Sequence, residues 1–399
     1  MLDLAEAQAR LIALAPLMPV ISAPIAPGHV RYLAGDLFAR RTQPAADLSA
    51  MDGYAIAGPG PWRLIGEARA GAPFEGSLGT GECTRISTGA HMPRGAERVL
   101  IQENAATTGE RIALAPGESL PQPMQHVRRR GFDFSEGETL LGAGSAIGPA
   151  QEALALAAGH DACAHREGPR VMVLESGDEL AATASAARPS QIPASNGAMI
   201  ARLIAPYASR IERPPPVADT AAALAEALAG AHDADVLITS GGASVGDHDL
   251  IRPALEAWGA RIDFWKVAIK PGKPLLVATR DRAGSPRGAQ VILGLPGNPV
   301  SSFVTAFLFA LPLLRACLGA GECIARPILL EAGEDLPATG ARREFMRAIR
   351  EEGRVRLAGS QDSSALRALG LANALIERAP GEEAVKAGER VAVHNLQNG

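Results

Sequence analysis

The chain has 399 residues, with 39 Lys plus Arg against 43 Asp plus Glu, so its formal net charge is −4. A chain this close to neutrality has no overall positive field, which excludes a general DNA- or RNA-binding protein. Hydrophobic residues make up 47% of the sequence, which is enough to bury cores and excludes extensive disorder. At roughly 100–200 residues per domain, the length predicts two to four domains.

The composition also bears on the cellular context. The four cysteines are dispersed without a C-x-x-C pair, which argues against a structural zinc site or a disulfide scaffold. The N-terminus is acidic and is followed by prolines, unlike a signal peptide. The longest apolar run, Phe303 to Leu314, is too short for a membrane span and is followed by Arg315. We therefore expect a soluble cytoplasmic protein with no nucleic-acid and no membrane partner.

Two separate segments of the first half are predicted to be helical. Residues 1–45 show an amphipathic helix, then a proline-rich turn and a second helix from Val30 to Arg40. Residues 150–160 predict another helix, which ends at Gly159. We refer to residues 1–45 and 136–167, which carry these helices, as the helical linker.

Residues 46–135, between these segments, have a different pattern. Short apolar runs such as Trp62–Ile65 and Arg98–Ile101 are separated by Gly and Pro, which indicates a small β-rich domain. Asp52 lies in the tight turn S-A-M-D-G-Y-A, and Asp133 follows a run of three arginines. A turn or cap explains each of these acids alone as well as a ligand role does.

Residues 168–320 alternate predicted strands and helices. The predicted strands are 170–174, 235–239, 262–269, 275–279 and 291–293. The predicted helices are 196–205, 220–229, 250–258 and 300–318. This alternation predicts a mostly parallel sheet covered on both faces, and such open sheets bind ligands beyond the carboxyl ends of their strands. Residues 321–399 contain short strand-like runs and predict a small β domain.

The segment 237–249 (LITSGGASVGDHD) runs from a predicted buried strand into a loop rich in Gly and Ser. Backbone N–H groups of such a loop can bind an oxyanion, and Asp247 and Asp249 can hold Mg²⁺ beside a phosphate. An ordinary tight turn with helix-capping acids explains the same residues. The match to G-x-S-x-G around Ser244 also leaves an α/β-hydrolase open, with His394 as its distant histidine.

Three lysines lie within the segment 264–274 (FWKVAIKPGKP). If residues 262–270 form one strand, Lys266 and Lys270 point to the same face, and the Pro-Gly turn directs Lys273 toward them. This predicts an anion site at the end of a strand. The alternative is a solvated basic edge.

Two further segments place polar groups beside predicted helices. In 294–301 (GLPGNPVS), Asn298 is a good N-cap and Pro299 suits the first helical turn, so the helix N-terminus can bind phosphate. A well-capped core helix explains these residues equally. In 176–180 (SGDEL), acids follow the first predicted strand, and Asp219 stands where it can cap the next helix.

Together these segments resemble the MoeA family of molybdopterin molybdenumtransferases, which includes the E domain of gephyrin. Each motif is weak alone, whereas seven in the family's order, extending over nearly the whole chain, are specific. The matching segments are 49–55 (SAMDGYA), 87–103 (STGAHMPRGAERVLIQE), 130–138 (RGFDFSEGE), 176–180, 239–249, 264–274 and 294–301.

The resemblance implies a fold of the α/β plus β class, as an elongated multi-domain subunit. Its parts are the helical linker, a β-rich domain 46–135 carrying the MDGYA motif, a MogA-like α/β molybdopterin-binding domain 168–320 and a small C-terminal β-barrel domain 321–399. It also implies a homodimer, whose active cleft lies between the α/β domain and the MDGYA-bearing domain of the other subunit.

The function implied by the resemblance belongs to molybdenum cofactor biosynthesis. The substrates are adenylylated molybdopterin and molybdate, the molybdenum is inserted into the dithiolene, Mg²⁺ is required, and AMP is released. Molybdopterin adenylyltransferase and recipient molybdoenzymes are the implied protein partners.

The resemblance also implies a set of site residues. The predicted catalytic residues are Asp52, Asp133, Glu179, Asp219, Asp249, Lys266 and Lys270. The predicted metal ligands are Glu179 and Asp249. The predicted substrate-binding residues are Thr88, Ser176, Ser240, Gly241, Gly242, Ser244, Gly246, Asp247, Lys273, Pro296, Asn298, Pro299, Arg343 and Ser363. Lysines attract the anionic groups of the substrates, and carboxylates position Mg²⁺ or a water molecule.

Three positions depart from the family pattern. Glu175-Ser176 stands where Ser-Thr is usual, Ala194 stands where Asp is common, and Asp362 occupies a place often held by Gly. These departures motivate a non-enzymatic alternative, in which the protein binds molybdopterin as a scaffold or carrier without turnover.

Overall fold

The computed structural model describes residues 1–241, 250–282 and 284–396. The chain forms two compact units. The larger unit comprises Met1–Gly35, Ala143–Gly148 and the chain from Ala164 onwards. The smaller unit comprises Asp36–Gly142 and Pro149–Cys163. The division into four domains stays a prediction.

The smaller unit is built on a six-stranded sheet. In spatial order its strands are Arg98–Ile101, Gly53–Ile56, Glu82–Ile86, Trp62–Ala68, Arg111–Leu114 and Ala105–Thr108. Both apolar runs named from the sequence are therefore strands, which confirms the predicted β-rich region. Trp62 is 1% exposed and anchors one face of the sheet, where its indole N–H donates to the Gly58 carbonyl over 3.1 Å.

Short ladders and one α-helix complete this unit. Val127–Arg128 pairs with Leu48–Ser49, and Thr139–Leu141 pairs with Leu37–Phe38. The helix spans Pro149–Ala157, and the left-handed Gly159 (φ +95°) ends it as predicted.

The predicted second helix from Val30 to Arg40 is wrong. Within the larger unit, Tyr32 and Leu33 form β-bridges, and the Leu33 N–H donates to the Ser145 carbonyl over 2.9 Å. Further on, Leu37–Phe38 is a strand of the smaller unit. Partners distant in sequence satisfy the backbone of this segment, so they override its weak helical pattern.

The larger unit contains the predicted open sheet. In spatial order its strands are Arg210–Glu212, Arg170–Glu175, Val236–Ser240, Gln290–Leu295, Leu276–Arg280 and Ala260–Trp265. The first four are parallel and the last two are antiparallel to their neighbours, so the mostly parallel sheet is confirmed.

Helices cover both faces of this sheet, as predicted. The helices packing on one face are Leu4–Ala13, Asn196–Ile204 and Pro299–Thr305 with its continuation. Those on the other face are Ala221–Gly230 and Ile251–Ala257. Alternate residues of the buried strands face opposite cores; Val173 contributes to the first and Leu174 to the second.

The predicted strand 262–270 is interrupted. Ala260–Trp265 ends where Lys266 adopts a left-handed conformation (φ +74°), and Ile269–Lys270 pairs instead with Arg343–Glu344. Lys266 therefore lies beyond the end of one strand and Lys270 lies in a strand of another sheet, so the shared face expected from their spacing is wrong.

The long apolar helix is a core element. It runs through Pro299–Thr305, a π-helical turn Ala306–Ala310 and Leu311–Cys317. By length and composition alone it could cross a membrane, but 89% of it is buried inside the fold. Pro312 has no N–H to donate to the Leu308 carbonyl, and the buried side chain of Gln8 donates there over 2.8 Å instead.

The last part of the larger unit is a closed five-stranded barrel, as predicted. Its strands are Ile328–Ala332, Arg343–Glu351, Arg354–Leu357, Ala374–Arg378 and Arg390–Asn395. Closure comes from pairing of the second and fourth strands. The short helix Leu366–Leu371 precedes the fourth strand. Other short elements of the unit are Val20–Ser22, Ala164–Arg166, Leu180–Ala181, Ala184–Ala186 and Ile192–Pro193.

Candidate active site

A cavity of about 700 Å³ opens at the carboxyl edge of the open sheet. The parallel strands Arg170–Glu175, Val236–Ser240 and Gln290–Leu295 all end at this edge, and Ala260–Trp265 also ends there because of its antiparallel pairing. Ligand sites of open α/β sheets lie at this edge. The motifs following these strands therefore converge in space although they are separated in sequence.

Nine of the predicted site residues line this cavity. They are Ser176, Glu179, Asp219, Gly241, Lys266, Lys273, Pro296, Asn298 and Pro299. Basic and acidic side chains are thus brought to one cavity, and a solvated basic edge does not account for the arrangement.

The basic part of the cavity surrounds the end of strand Ala260–Trp265. The Lys266 N–H donates to the Leu275 carbonyl over 3.0 Å, which holds the backbone of this residue against the neighbouring strand. Its ammonium group lies 4.4 Å from the centre of the Trp265 ring, a cation–π contact that holds the side chain beside this ring. Lys273 reaches the same cavity across the turn that begins at Pro271.

The acidic part is formed by Glu179 and Asp219, with Asp178 beside them. Desolvation, and then the carboxylates of Asp178 and Glu179, raise the pKa of Asp219. Asp219 does not cap the following helix, because Thr220 is its N-cap and accepts from the Ala223 N–H over 3.2 Å. The capping explanation for Asp219 is therefore wrong.

These carboxylates suit a hard cation. Oxygen ligands of this kind are those that Mg²⁺ prefers, and a cation would offset the repulsion that raises the pKa of Asp219. Of the two predicted metal ligands, Glu179 lines the cavity, whereas Asp249 lies outside the described residues. The described part of the chain holds no group of three His, Cys, Asp or Glu side chains arranged for a metal ion.

The loop after strand Gln290–Leu295 forms another wall of the cavity. Asn298 occupies the N-cap position of the helix starting at Pro299, but its side chain makes no capping bond. Its Nδ2 donates instead to Ser363 Oγ over 3.0 Å, and the Val300 N–H donates to the Ser363 carbonyl over 3.2 Å. The first turn of this helix is therefore already partly engaged by the barrel.

Several predicted site residues do not line this cavity. Ser240 is buried beneath it, and Ser363 bonds to Asn298. Lys270 forms an ion pair with Glu344 over 3.2 Å, and Arg343 pairs with Glu377 over 2.5 Å. Both ion pairs belong to the edge of the barrel, so these two cations stand apart from Lys266 and Lys273.

Three more predicted residues belong to the smaller unit. Asp52 accepts a hydrogen bond from the Thr88 N–H over 2.6 Å, and hydrogen bonds from Thr88 lower the pKa of Asp52. Asp133 is exposed, and its N–H donates to the Gln43 carbonyl over 3.0 Å. The roles of these residues stay predictions.

The remaining predicted residues cannot be placed. Gly242, Ser244, Gly246, Asp247 and Asp249 lie outside the described residues. The hydrolase alternative paired Ser244 with His394. His394 bonds to Glu377 over 2.6 Å and packs against Phe307 and Phe345, away from the residues that line the cavity.

Other lining residues were not predicted. They are Ile192, Pro193, Ser195, Pro274, Gly297, Ser364 and Leu366. Gly297 had a signal, because it lies between Pro296 and Asn298 in a predicted site motif. Pro274 likewise ends the predicted motif 264–274, whereas the others line the cavity because of tertiary packing and carry no pattern of their own.

The fold and the cavity define an α/β protein with a site whose lysines suit an anionic ligand. Family models match along the whole chain: the MoeA N-terminal region (domain I and II) at residues 2–159, a "probable molybdopterin binding domain" at 172–316 and the MoeA C-terminal region (domain IV) at 330–396. The chain belongs to the MoeA family of molybdopterin molybdenumtransferases, as its motifs predicted.

Curated relatives support this assignment. A molybdopterin molybdenumtransferase of Haemophilus influenzae is 31% identical over 375 residues, which cover 91% of this chain and 90% of that protein. Molybdopterin molybdenumtransferase 2 of Mycobacterium tuberculosis is 32% identical, with coverage of 94% and 95%. A relative from Nostoc is 33% identical over 71% of this chain and 66% of its own length.

Solved structures agree with the fold. The crystal structure of a molybdopterin biosynthesis MoeA protein from Pyrococcus horikosii is 26% identical, has a TM-score of 0.80 and covers 100% of both chains. The predicted α/β plus β fold class is thereby confirmed for the whole chain.

Proposed function

We propose that this protein is an active molybdopterin molybdenumtransferase, which inserts molybdate into adenylylated molybdopterin and releases AMP with the help of Mg²⁺. One observation carries the proposal: Lys266 and Lys273 share a cavity with Glu179 and Asp219 at the carboxyl edge of the sheet. Curated relatives covering nine-tenths of the chain are named for this transfer.

The charges of the cavity suit the substrates of this reaction. Adenylylated molybdopterin carries a phosphoanhydride, and molybdate is a dianion, so both need positive partners. Lys266 and Lys273 offer two ammonium groups for these oxygens. When the phosphoanhydride breaks, negative charge increases on the departing AMP, and nearby ammonium groups stabilise that charge.

The carboxylates serve a different purpose. Glu179, with Asp249, would hold Mg²⁺, and Asp219 stands where it can accept a proton or orient water. Bound Mg²⁺ would offset the charge of the phosphoanhydride oxygens. Each of the two Mo–S bonds replaces one Mo–O bond of molybdate, and the released oxygens leave as water with the protons of the thiols and those set free by hydrolysis. A water oxygen bonds to the terminal phosphorus as the P–O bond to AMP breaks.

The direct test supplies the purified protein with adenylylated molybdopterin, molybdate and Mg²⁺. We expect AMP release together with molybdenum cofactor, detected by activation of a cofactor-free molybdoenzyme, and loss of both on chelation of Mg²⁺. Absence of both products would contradict the proposal. Tight molybdopterin binding without turnover would instead establish the scaffold or carrier. Labelling of Ser244 by a fluorophosphonate would support the hydrolase.

We propose further that the working form is a homodimer whose cleft combines this cavity with Asp52 of the other subunit. The support is the family membership and the position of Asp52, Thr88 and Asp133 in a separate compact unit. A cytoplasmic location, with molybdopterin adenylyltransferase and recipient molybdoenzymes as partners, is part of the same proposal.

A further inference from the structure

A buried carboxylate lies directly beneath the cavity. Glu175 is the last residue of strand Arg170–Glu175 and is 8% exposed. Its carboxylate packs against Gly197, and the backbone N–H groups of Asn196 and Gly197 at the start of helix Asn196–Ile204 face it. Burial raises the pKa of Glu175, and these two N–H groups oppose that shift. The carboxylate thus holds a helix start against the end of a strand.

Gly197 permits this close approach. A methyl group at Gly197 would collide with the Glu175 carboxylate, although its backbone is ordinary helix. Gly197 is the second residue of the helix, and the absence of a side chain there leaves room for the Glu175 carboxylate.

The side chain of Asn196, next to Gly197, connects the start of the helix with the cavity. Asn196 is buried, and its Nδ2 donates both hydrogens, to Ser240 Oγ over 3.0 Å and to the Gly297 carbonyl over 2.7 Å. Ser240 Oγ also donates to the Pro296 carbonyl over 3.3 Å. Asn196 therefore joins the ends of two neighbouring strands, and the loops following them, Gly241 and Pro296–Gly297, line the cavity.

We propose that Glu175 is a positioning residue of the cavity, which acts through Asn196 to set the spacing of the substrate-binding loops at Gly241 and Pro296–Gly297. The expected kinetic effect rests on the proposed function, whereas the contacts of Glu175 and Asn196 do not depend on it. It also gives a role to one departure from the family pattern, because the carboxylate at position 175 lies against the helix that begins at Asn196.

Kinetics of three variants test the proposal. Glu175→Ala removes the acceptor oxygens, whereas Glu175→Gln keeps an acceptor oxygen on a side chain of the same length. Gly197→Ala keeps the carboxylate but displaces it. Because the loops bind substrate while Lys266 follows a different strand, we expect about a tenfold rise in KM for adenylylated molybdopterin in Glu175→Ala and Gly197→Ala, with kcat within threefold. Glu175→Gln should stay within threefold in both constants.

The double variant Glu175→Ala/Gly197→Ala supplies the internal control. Once the carboxylate is gone, the added methyl group has nothing to displace, so the double variant should be no worse than Glu175→Ala. A fall in kcat with unchanged KM would overturn the proposal, because it indicates loss of folded enzyme. Equal impairment of Glu175→Gln and Glu175→Ala would also overturn it, because the charge itself would then be what matters.

Hydrogen exchange separates this inference from the proposed function. Amides of peptides covering 196–204 and 290–298 should exchange faster in Glu175→Ala than in the wild type, whereas Glu175→Gln should resemble the wild type. This measurement needs no turnover, so it decides the positioning role even if the wild-type protein proves inactive. Unchanged exchange in Glu175→Ala would overturn the inference.

Discussion

Asn298 donates a hydrogen bond from Nδ2 to Ser363 Oγ over 3.0 Å, and this contact joins the cavity wall to the barrel. The barrel loop is itself anchored by Arg347, which is 0% exposed and donates to the Ser360 and Asp362 carbonyls over 2.7 and 3.1 Å. A buried arginine thereby determines where Ser363 meets the helix that starts at Pro299.

The Asn298–Ser363 contact should be measurable as a coupling energy. We expect the free energies of unfolding of Asn298→Ala, Ser363→Ala and the double variant to deviate from additivity by about 0.5–1.5 kcal/mol, the net value of one hydrogen bond. Urea denaturation supplies the four values. Additivity within about 0.3 kcal/mol would show that the contact does not contribute in solution.

Lys266 should be required for turnover. Replacing its ammonium group in Lys266→Ala should lower kcat/KM for adenylylated molybdopterin by about 10²-fold or more, as for loss of a group that stabilises developing negative charge. Lys266→Arg keeps the positive charge and should lose less. The matched control is Arg261→Ala, in the strand that precedes Lys266 and exposed but absent from the cavity lining. Equal loss in the control would show a general charge effect.

Asp235 should be critical for stability although it is far from any chemistry. It is 0% exposed and accepts from Arg282 over 3.1 Å and from Arg287 over 2.9 Å. Asp235→Ala would leave the nearly buried Arg282 guanidinium without a carboxylate and Arg287 with Glu167 alone, so we expect a loss of about 3–5 kcal/mol in the free energy of unfolding. Asp235→Asn keeps the shape and should lose less. A loss below about 1 kcal/mol would contradict this account.

The same carboxylate should contribute to acid sensitivity. Burial alone would raise the pKa of Asp235, but hydrogen bonds from Arg287 and the Arg170 N–H, with Arg282, hold it below the ordinary 3.8. Its stabilising contribution is therefore complete above pH 3.8 and is lost as pH falls through the lowered pKa. Unfolding followed from pH 5 to pH 2 should show a shallower decline in Asp235→Asn than in the wild type. Parallel declines would remove Asp235 as a cause.

Subunit mixing should reveal whether the site is shared. Asp52→Ala and Lys266→Ala subunits are each expected to be inactive alone. In a cleft built from two subunits, half of the dimers in an equal random mixture carry one intact cleft, so about a quarter of wild-type activity should return. A cleft built within one subunit predicts no recovery, because every subunit then carries one defect. Sedimentation must first confirm that the mixed sample is dimeric.

Local sequence patterns were sufficient to predict most of the strands and helices. Uninterrupted apolar runs such as Val236–Ser240 identify buried strands, and the helix ending before Gly159 follows from a residue that tolerates positive φ. Seven ordered motifs also identified the family. The secondary-structure predictions were wrong between Val30 and Arg40 and at Lys266, because hydrogen-bond partners distant in sequence determine the backbone conformation there.

The sequence by itself determined the family, the parallel sheet and the residue types of the site, because these depend on periodicity and on motifs a few residues long. Only the tertiary structure decided which lysines lie close together: Lys266 and Lys273 share a cavity, whereas Lys270 pairs with Glu344. It also revealed Glu175 and Asn196 as a support beneath that cavity. The physical reason is that strand ends distant in sequence meet at one edge, where hydrogen-bond partners depend on spatial register rather than on spacing along the chain.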